Sequence, residues 1–376
     1  MELQIPSYMP EAFLLVAACL TLLIDVFRND KTHRLAYWLT QFSLLVTLGL
    51  VTATRSAEPV LSFSGTVVND AMSGVLKSAI LAVVIVVFVY SRDYLRLRKR
   101  VSAEFFVLGL FAVLGMMVLV SAHSFLTLYL GLELLSLSLY SIVAMDRDSV
   151  TSSEAAMKYF VLGALASGML LYGISILYGV SGTLNITEFS AYAMGADTGV
   201  DNLAITFGLV FVVVGIAFKL GVVPFHMWVP DVYHGASTAA TLFIATAPKL
   251  AAFALAIRLL VGALEPLSAD WQQMLIVLAV LSVGTGNLLA IAQDNIKRML
   301  AYSGIAHMGF LLLGVLAGST DGYAAAMFYA IVYAIMSAGA FGMVILLGRG
   351  EFEADRLTDF SGLNGRSPWF AVIMLI

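Results

Sequence analysis

The sequence predicts an all-α polytopic membrane protein, because both its composition and the spacing of its apolar segments indicate that class. Of the 376 residues, 61% are hydrophobic and only 12% are charged, and the mean hydropathy is +0.96. A water-soluble chain of this length needs more charged residues to cover its surface. Apolarity along the whole length therefore predicts a single transmembrane domain over residues 1–376.

The apolar segments have the length of membrane-spanning helices, each of which needs about 20 mostly apolar residues. Eleven complete spans fit this template, at 9–27, 36–54, 72–90, 104–121, 124–144, 155–179, 203–228, 237–261, 271–292, 299–317 and 323–347. A twelfth opens at Ser367 and Pro368 and is cut off at Ile376. We therefore expect the sequence to be part of a longer chain.

The basic residues between the spans predict the orientation of the bundle. They are concentrated in the odd-numbered loops, which hold Arg28, Lys31, Arg34, Arg92, Arg96, Arg98, Lys99, Arg100, Arg147, Lys297, Arg298, Arg349, Arg356 and Arg366. The even-numbered loops hold Arg55 and several acidic residues. Because cytoplasmic loops are enriched in Lys and Arg, the odd loops are predicted to be cytoplasmic and the N-terminus to lie outside.

Composition and motifs exclude several other functions. The net charge of -4 and the absence of a basic patch argue against nucleic acid as a partner. The single cysteine, Cys19, excludes an internal disulfide framework and a cysteine-based metal cluster. His226 and His234 do not have a metal-ligand spacing, so we predict no metal site and no cofactor on this chain.

Lysines inside the predicted spans are the main candidates for a function. Arg258 and Lys77 lie toward the outer ends of their spans, where snorkelling to the interface explains them. Lys219 and Lys249 lie well inside, where a charge costs roughly 2.5–3.5 kcal/mol on insertion scales. Lys158 lies one turn from the cytoplasmic edge, so an interfacial anchor is an alternative to a functional role for it.

Glu133 is the one carboxylate predicted at mid-span, and it can pair with Lys158 or with Lys219, depending on how the helices pack. A static buried salt bridge is one interpretation. However, one acid faces several bases, and desolvation favours the neutral form of any charged group that stays unpaired. Groups of that kind take up and release protons in pumps. We therefore favour a proton relay over a purely structural pair.

Two predicted spans combine a lysine with a backbone irregularity. Pro224 follows Lys219 by five residues, removes a backbone donor and clashes with the carbonyl of Leu220, so the helix is predicted to kink or break there. Pro248 directly precedes Lys249 in the next span. Discontinuous helices with a charge at the break are typical of ion-transport sites, whereas an ordinary proline kink is the simpler alternative.

His307 lies near the middle of the tenth predicted span. A histidine on an apolar helix is often a core residue with satisfied hydrogen bonds. Because lysines on two other spans are already candidates, a relay role for His307 is the second interpretation.

Several motifs resemble the antiporter-like, proton-translocating subunits of bacterial NADH:quinone oxidoreductase, respiratory complex I. They are residues 218–235 (FKLGVVPFHMWVPDVYHG), 130–137 (LGLELLSL), 154–159 (EAAMKY), 295–303 (NIKRMLAYS) and 360–363 (FSGL). The resemblance covers nearly the whole chain.

This resemblance implies a bundle with inverted repeats and discontinuous helices, drawn from a family with fourteen spans. N-terminal helices would occupy 1–103, a first repeat 104–261 and an incomplete second repeat 262–376. The family's proton-carrying residues fall on Glu133, Lys158, Lys219, Lys249 and His307, and a further family lysine would lie beyond Ile376.

The resemblance also implies a partner set and a location. We expect a bacterial inner membrane, other membrane subunits of the same complex as partners, and no redox chemistry on this chain. NADH, FMN, iron–sulfur clusters and quinone would bind to other subunits. Two rival functions remain open: a subunit of a multi-subunit sodium/proton antiporter, and a scaffold whose buried charges only hold a membrane arm together.

Overall fold

A computed structural model describes residues 6–28, 33–56, 58–98, 101–195, 200–348 and 352–375. The helices are α1 (Met9–Arg28), α2 (Arg34–Ala53), α3 (Ala71–Leu97), α4 (Ala103–Val120), α5 (Phe125–Val143), α6 (Val150–Ser181), α7 (Ile186–Gly195), α8 (Val200–Leu220), α9 (Trp228–Gly235), α10 (Thr238–Ala245), α11 (Ala247–Ala256), α12 (Ser268–Ile291), α13 (Ile296–Leu316), α14 (Thr320–Leu347), α15 (Leu363–Arg366) and α16 (Pro368–Leu375). A π-helix (Ile257–Ala263) continues α11, and short 3₁₀ helices cover Glu265–Leu267 and Leu357–Phe360.

The predicted all-α membrane bundle is confirmed. Within the described ranges, 11 helical segments are long and apolar enough to cross a membrane, as the sequence predicts. The segment 238–263, made of α10, α11 and the π-helix, is the most enclosed. In its apolar stretch of 18 residues, 94% of the residues are buried, compared with 28% in that of α1. This segment is therefore the centre of the bundle, and the candidate residues are arranged around it.

The discontinuous helices predicted from the prolines are also present. Helix α8 ends at Leu220, and a non-helical stretch leads to the short helix α9. The next span is interrupted at Thr246, which separates α10 from α11. Two consecutive spans are thus broken at the depth of their lysines.

A small hairpin marks one end of the bundle. Strands β1 (Val60–Ser62) and β2 (Val67–Asn69) pair antiparallel, and Val67 also pairs with Ala122 between α4 and α5. We call this the hairpin end. The loops that connect α5 to α6 and α12 to α13 lie at the opposite end.

Two basic residues that sequence reasoning assigned to snorkelling are held inside the bundle. The Nη atoms of Arg258 lie 2.7 and 2.9 Å from the carboxylate oxygens of Asp70, and its guanidinium also donates to the carbonyl of Val120. Lys77 is 3% exposed and its Nζ lies 2.5 Å from Glu11 on α1. Lys77 is therefore too buried to snorkel to water, whereas Arg258 reaches a carboxylate at the hairpin end of the bundle.

Helices α4 and α5 approach so closely that only glycine fits at their crossing. A Cβ on Gly115 would lie 2.5 Å from the backbone nitrogen of Leu135, and a Cβ on Gly131 would lie 2.7 Å from that of Leu119. Small residues permit this contact between membrane helices. The contact holds α5, with Glu133, firmly against the rest of the bundle.

Gly115→Ala is expected to reduce the amount of assembled protein in the membrane and to lower its thermal stability. The added methyl meets backbone atoms, and overpacking of this kind costs about 1–3 kcal/mol. Gly168→Ala on α6 is the control, since nothing lies within 4 Å of the added Cβ. Membrane levels and melting temperature would be measured, and equal values for the two variants would contradict the close-packing argument.

Candidate functional site

The break after α8 is built from a glycine and a proline. Gly221 adopts a φ of +78°, a conformation that favours glycine at the end of a helix. Its N–H and that of Val222 both donate to the carbonyl of Ala217, at 2.9 and 3.0 Å. Pro224, joined to Val223 by a cis peptide bond, has no N–H to donate to the carbonyl of Leu220. This carbonyl therefore needs another donor.

Lys249 is that donor, since its Nζ lies 2.8 Å from the carbonyl oxygen of Leu220. The other polar groups at the break also find side-chain partners. The N–H of Val223 donates to the hydroxyl of Ser282 at 2.9 Å, and Nε1 of Trp228 donates to the carbonyl of Phe218 at 3.1 Å. Residues from α9, α11 and α12 thus close the break within the bundle.

Lys249 is buried in apolar surroundings. It is 3% exposed, and its ammonium lies 5.3 Å from the centre of the Trp228 ring. Among the described residues, no carboxylate lies within 4 Å of its Nζ. Its hydrogen bond to Leu220 and the aromatic face of Trp228 are its polar contacts.

Lys219 contacts α5. Its Nζ donates to the hydroxyl of Ser136 at 2.7 Å. Glu133, one turn earlier on α5, accepts a hydrogen bond from the hydroxyl of Ser167 on α6. No ion pair within 4 Å joins Glu133 to a lysine in the part of the chain that the structure describes. Of the two partners that the sequence leaves open for Glu133, Lys219 contacts α5 one turn away, at Ser136, whereas Lys158 pairs with other carboxylates.

Lys158 forms ion pairs away from Glu133. Its Nζ lies 2.7 Å from Asp231 and 2.9 Å from Glu154, and its side chain is 42% exposed. Partial burial alone would raise the pKa of the Asp231 carboxyl, but hydrogen bonds and charges from Lys158 and Arg298 outweigh burial and hold the pKa below its usual value. Lys158 therefore belongs to an ion-pair cluster at the end opposite the hairpin.

The two deep lysines both line one small cavity. Its volume is about 30 Å³, and Lys219, Lys249, Ser136, Tyr159, Phe218, Trp228 and Pro248 are among its lining residues. A cavity needs about 10–15 Å³ to hold a water molecule. The cavity lined by the two lysines is therefore large enough for one water molecule, and the hydroxyl of Ser136 is among the polar groups that line it.

His307 lies on α13 and faces α14. Its Nδ1 is 2.7 Å from the hydroxyl of Tyr329, and its ring centre is 5.2 Å from that of Tyr333. Across the described ranges, no hydrogen bond connects His307 directly to Lys249. The structure brings Glu133, Lys219 and Lys249 to one region and His307 to a separate one.

Sequence reasoning missed several residues of this region. Ser136, Ser167 and Ser282 are small hydroxyls in apolar spans, where many serines only donate to their own helix backbone. Asp231 follows a proline near a predicted loop and therefore looks like a surface residue. For Ser136, the spacing of three residues from Glu133 was the available signal.

Comparisons with known proteins agree with this architecture. The family described as the transmembrane part of NADH:quinone oxidoreductase and Mrp antiporters matches residues 122–376. The chain belongs to this family. The resemblance inferred from the motifs is thereby confirmed.

Individual relatives are more specific than the family model. The NADH-quinone oxidoreductase subunit N of Thioalkalivibrio sulfidiphilus is 58% identical over 379 residues, which cover 100% of this chain and 79% of the relative. The subunit of the same name from Thiobacillus denitrificans is 57% identical, covering 100% of this chain and 77% of the relative. A chain of respiratory complex I from Thermus thermophilus has a TM-score of 0.79 at 32% identity, covering 96% of this chain and 76% of that one.

Ser282→Ala is expected to destabilise the break, because the N–H of Val223 loses its acceptor. An unsatisfied buried backbone group costs about 1–3 kcal/mol. Thr285→Ala on the same helix is the matched control, since the hydroxyl of Thr285 is exposed and only donates to the carbonyl of Leu281. A thermal unfolding assay of the purified protein would compare them. A melting temperature of Ser282→Ala no lower than that of Thr285→Ala would refute the role of this hydrogen bond.

Proposed function

We propose that this chain is a proton-translocating membrane-arm subunit of NADH:quinone oxidoreductase. Its membership of the family and its high identity to subunits N of that enzyme support this assignment. The other membrane subunits of the complex are its partners, together with the lipid bilayer. NADH, FMN, iron–sulfur clusters and quinone bind to other subunits, and this chain carries the proton.

The proposal rests on one observation: Lys219 and Lys249 line the same water-sized cavity at a broken helix. Irregular backbone at membrane depth is tolerated where it is buried or lines a cavity. Neither lysine has a carboxylate within 4 Å among the described residues. Ammonium groups so placed are suited to exchanging a proton through intervening water.

In the proposed path, protons enter from the cytoplasmic side and reach Lys219 first. A proton moves from Lys219 through cavity water to Lys249 and then through further water toward His307. Glu133 stabilises the charged form of Lys219, so its charge sets how readily Lys219 accepts a proton. Lys158 lies outside this line, because its ammonium contacts Asp231 and Glu154.

The location and the internal symmetry belong to the same proposal. The similarity to subunits N of NADH-quinone oxidoreductase supports a location in the bacterial inner membrane, and the basic residues in the odd loops support an N-terminus on the outside. The hairpin end is then the periplasmic side. Residues 104–261, with both breaks, form a first antiporter-like repeat after the N-terminal helices 1–103, and residues 262–376 belong to the second.

One substitution can distinguish the proposed proton relay from a scaffold role of the buried lysines. Lys249→Arg keeps a positive charge and a donor for the carbonyl of Leu220, but arginine does not release its proton in proteins. A relay therefore predicts that NADH-driven proton pumping falls about tenfold or more. A scaffold predicts that pumping is retained.

The experiment uses the complete complex in its native membrane vesicles. Pumping is followed with a pH-sensitive dye, and values are normalised to assembled complex, measured from NADH oxidation with an artificial electron acceptor. Lys77→Arg is the matched control, because Lys77 is another 3% exposed lysine but pairs with Glu11. Full pumping by Lys249→Arg would refute the relay. Loss of sodium tolerance with intact NADH oxidation would instead favour the antiporter function.

A further inference from the structure

Helix α9 lies directly after the break and is held at two points. It begins with Trp228, which faces the lysine cavity, and carries Asp231 one turn later. It packs against α6 on one side and against α13 on the other. Its position therefore determines where Trp228 stands in relation to Lys249.

Asp231 ties α9 to both of these helices. One carboxylate oxygen lies 2.7 Å from Nζ of Lys158 on α6, and the other lies 2.9 Å from Nη1 of Arg298 on α13. Arg298 is itself oriented by a hydrogen bond from its Nε to the side chain of Gln293, at 3.1 Å. Each oxygen of Asp231 thus has its own cation on a different helix.

Trp228 links the position of α9 to the shape of the cavity. Its ring stacks on Tyr159, the neighbour of Lys158, with centres 4.7 Å apart and planes 12° apart. Its Nε1 holds the carbonyl of Phe218 at the end of α8, and its face lies 5.3 Å from the ammonium of Lys249. A rotation or shift of α9 would move this ring and change the space between the two deep lysines.

We infer that Asp231 is a positioning residue for proton transfer, which holds Trp228 against Lys249 by binding Lys158 and Arg298 at the same time. The inference rests on the proposed relay. It also assigns Lys158 a role: Lys158 acts through Asp231 and is not a proton-carrying station itself.

This role differs from a contribution to stability. Exposed and half-exposed ion pairs contribute little to folding, and Asp231 and Lys158 are 36% and 42% exposed. Loss of the Asp231 charge should therefore leave assembly intact. What changes is the geometry of the cavity, and small displacements at a reacting site cost much more in rate than in stability.

Asp231→Asn tests the inference, because it keeps the shape of the side chain and removes the charge. NADH-driven pumping per assembled complex is expected to fall roughly tenfold. Asp231→Glu, which retains a carboxylate for both cations, is expected to restore most of the rate. Wild-type pumping by Asp231→Asn would overturn the positioning role.

Glu154→Gln is the matched control, since it removes the other carboxylate on Lys158 but leaves both pairs of Asp231 in place. Its pumping rate should equal that of the wild type. A tenfold loss in Glu154→Gln would show that any charge near Lys158 matters, and would overturn the specific role of Asp231.

A double variant tests whether Lys158 acts through Asp231 or carries protons itself. If Lys158 acts through Asp231, then Lys158→Gln combined with Asp231→Asn pumps as fast as Asp231→Asn alone. If Lys158 carries protons independently, its substitution lowers the pumping rate further than Asp231→Asn alone does. That result would contradict the inference. Should Asp231→Asn fail to assemble, Lys158→Gln alone carries the test, with a reduced pumping rate expected and an unchanged rate contradicting the inference.

Lys249→Arg, measured in the same vesicles, distinguishes this inference from the proposed function. Its loss of pumping together with wild-type pumping of Asp231→Asn would overturn only the positioning role. Full pumping by Lys249→Arg would overturn the relay itself, and with it the positioning role.

Discussion

The hydrogen bond from Lys249 to the carbonyl of Leu220 is the interaction on which the centre of this bundle depends. Pro224 frees that carbonyl, and no lipid group can satisfy it at membrane depth. An unpaired amide group in an apolar medium costs several kcal/mol. The chain meets this requirement with a lysine, which introduces a second costly group. The two costs offset each other only because the ammonium and the carbonyl are placed 2.8 Å apart.

From this pairing the arrangement of the surrounding helices follows. The ammonium must reach the end of α8, so α11 has to lie beside it, and the interruption at Thr246 places Lys249 in the first turn of α11. Ser282 brings α12 to the same point, and Trp228 brings α9. The polar groups of the break are thus distributed over three neighbouring elements. Trp228 and Lys249 line a small cavity, which Lys219 also lines.

Much of the fold was predictable, because its determinants are local. A run of about 20 apolar residues defines a span wherever it occurs, and Pro224 interrupts a helix through its own ring and missing N–H. The deep lysines were predictable as candidates for the same reason, since their cost depends on depth alone. The contacts of Lys158 were not predictable, because its partner Asp231 lies 73 residues further along the chain. Helices that are apolar on every side also carry no pattern that shows which face meets which neighbour, and so the sequence left two partners open for Glu133.

The ion pairs of Asp231 connect the cavity to a helix that carries another candidate group. Arg298 and His307 both lie on α13, one near its first turn and the other near its middle. Because α13 packs against α9 as well as α12 and α14, a change in the position of α9 acts on the same helix that places His307 beside Tyr329. No direct hydrogen bond joins Lys249 to His307 in the described part of the chain. In the proposed relay, a proton that passes between them therefore requires intervening water. In that relay, the ion pairs of Asp231 act through the placement of helices, while the buried lysines act through their own charge.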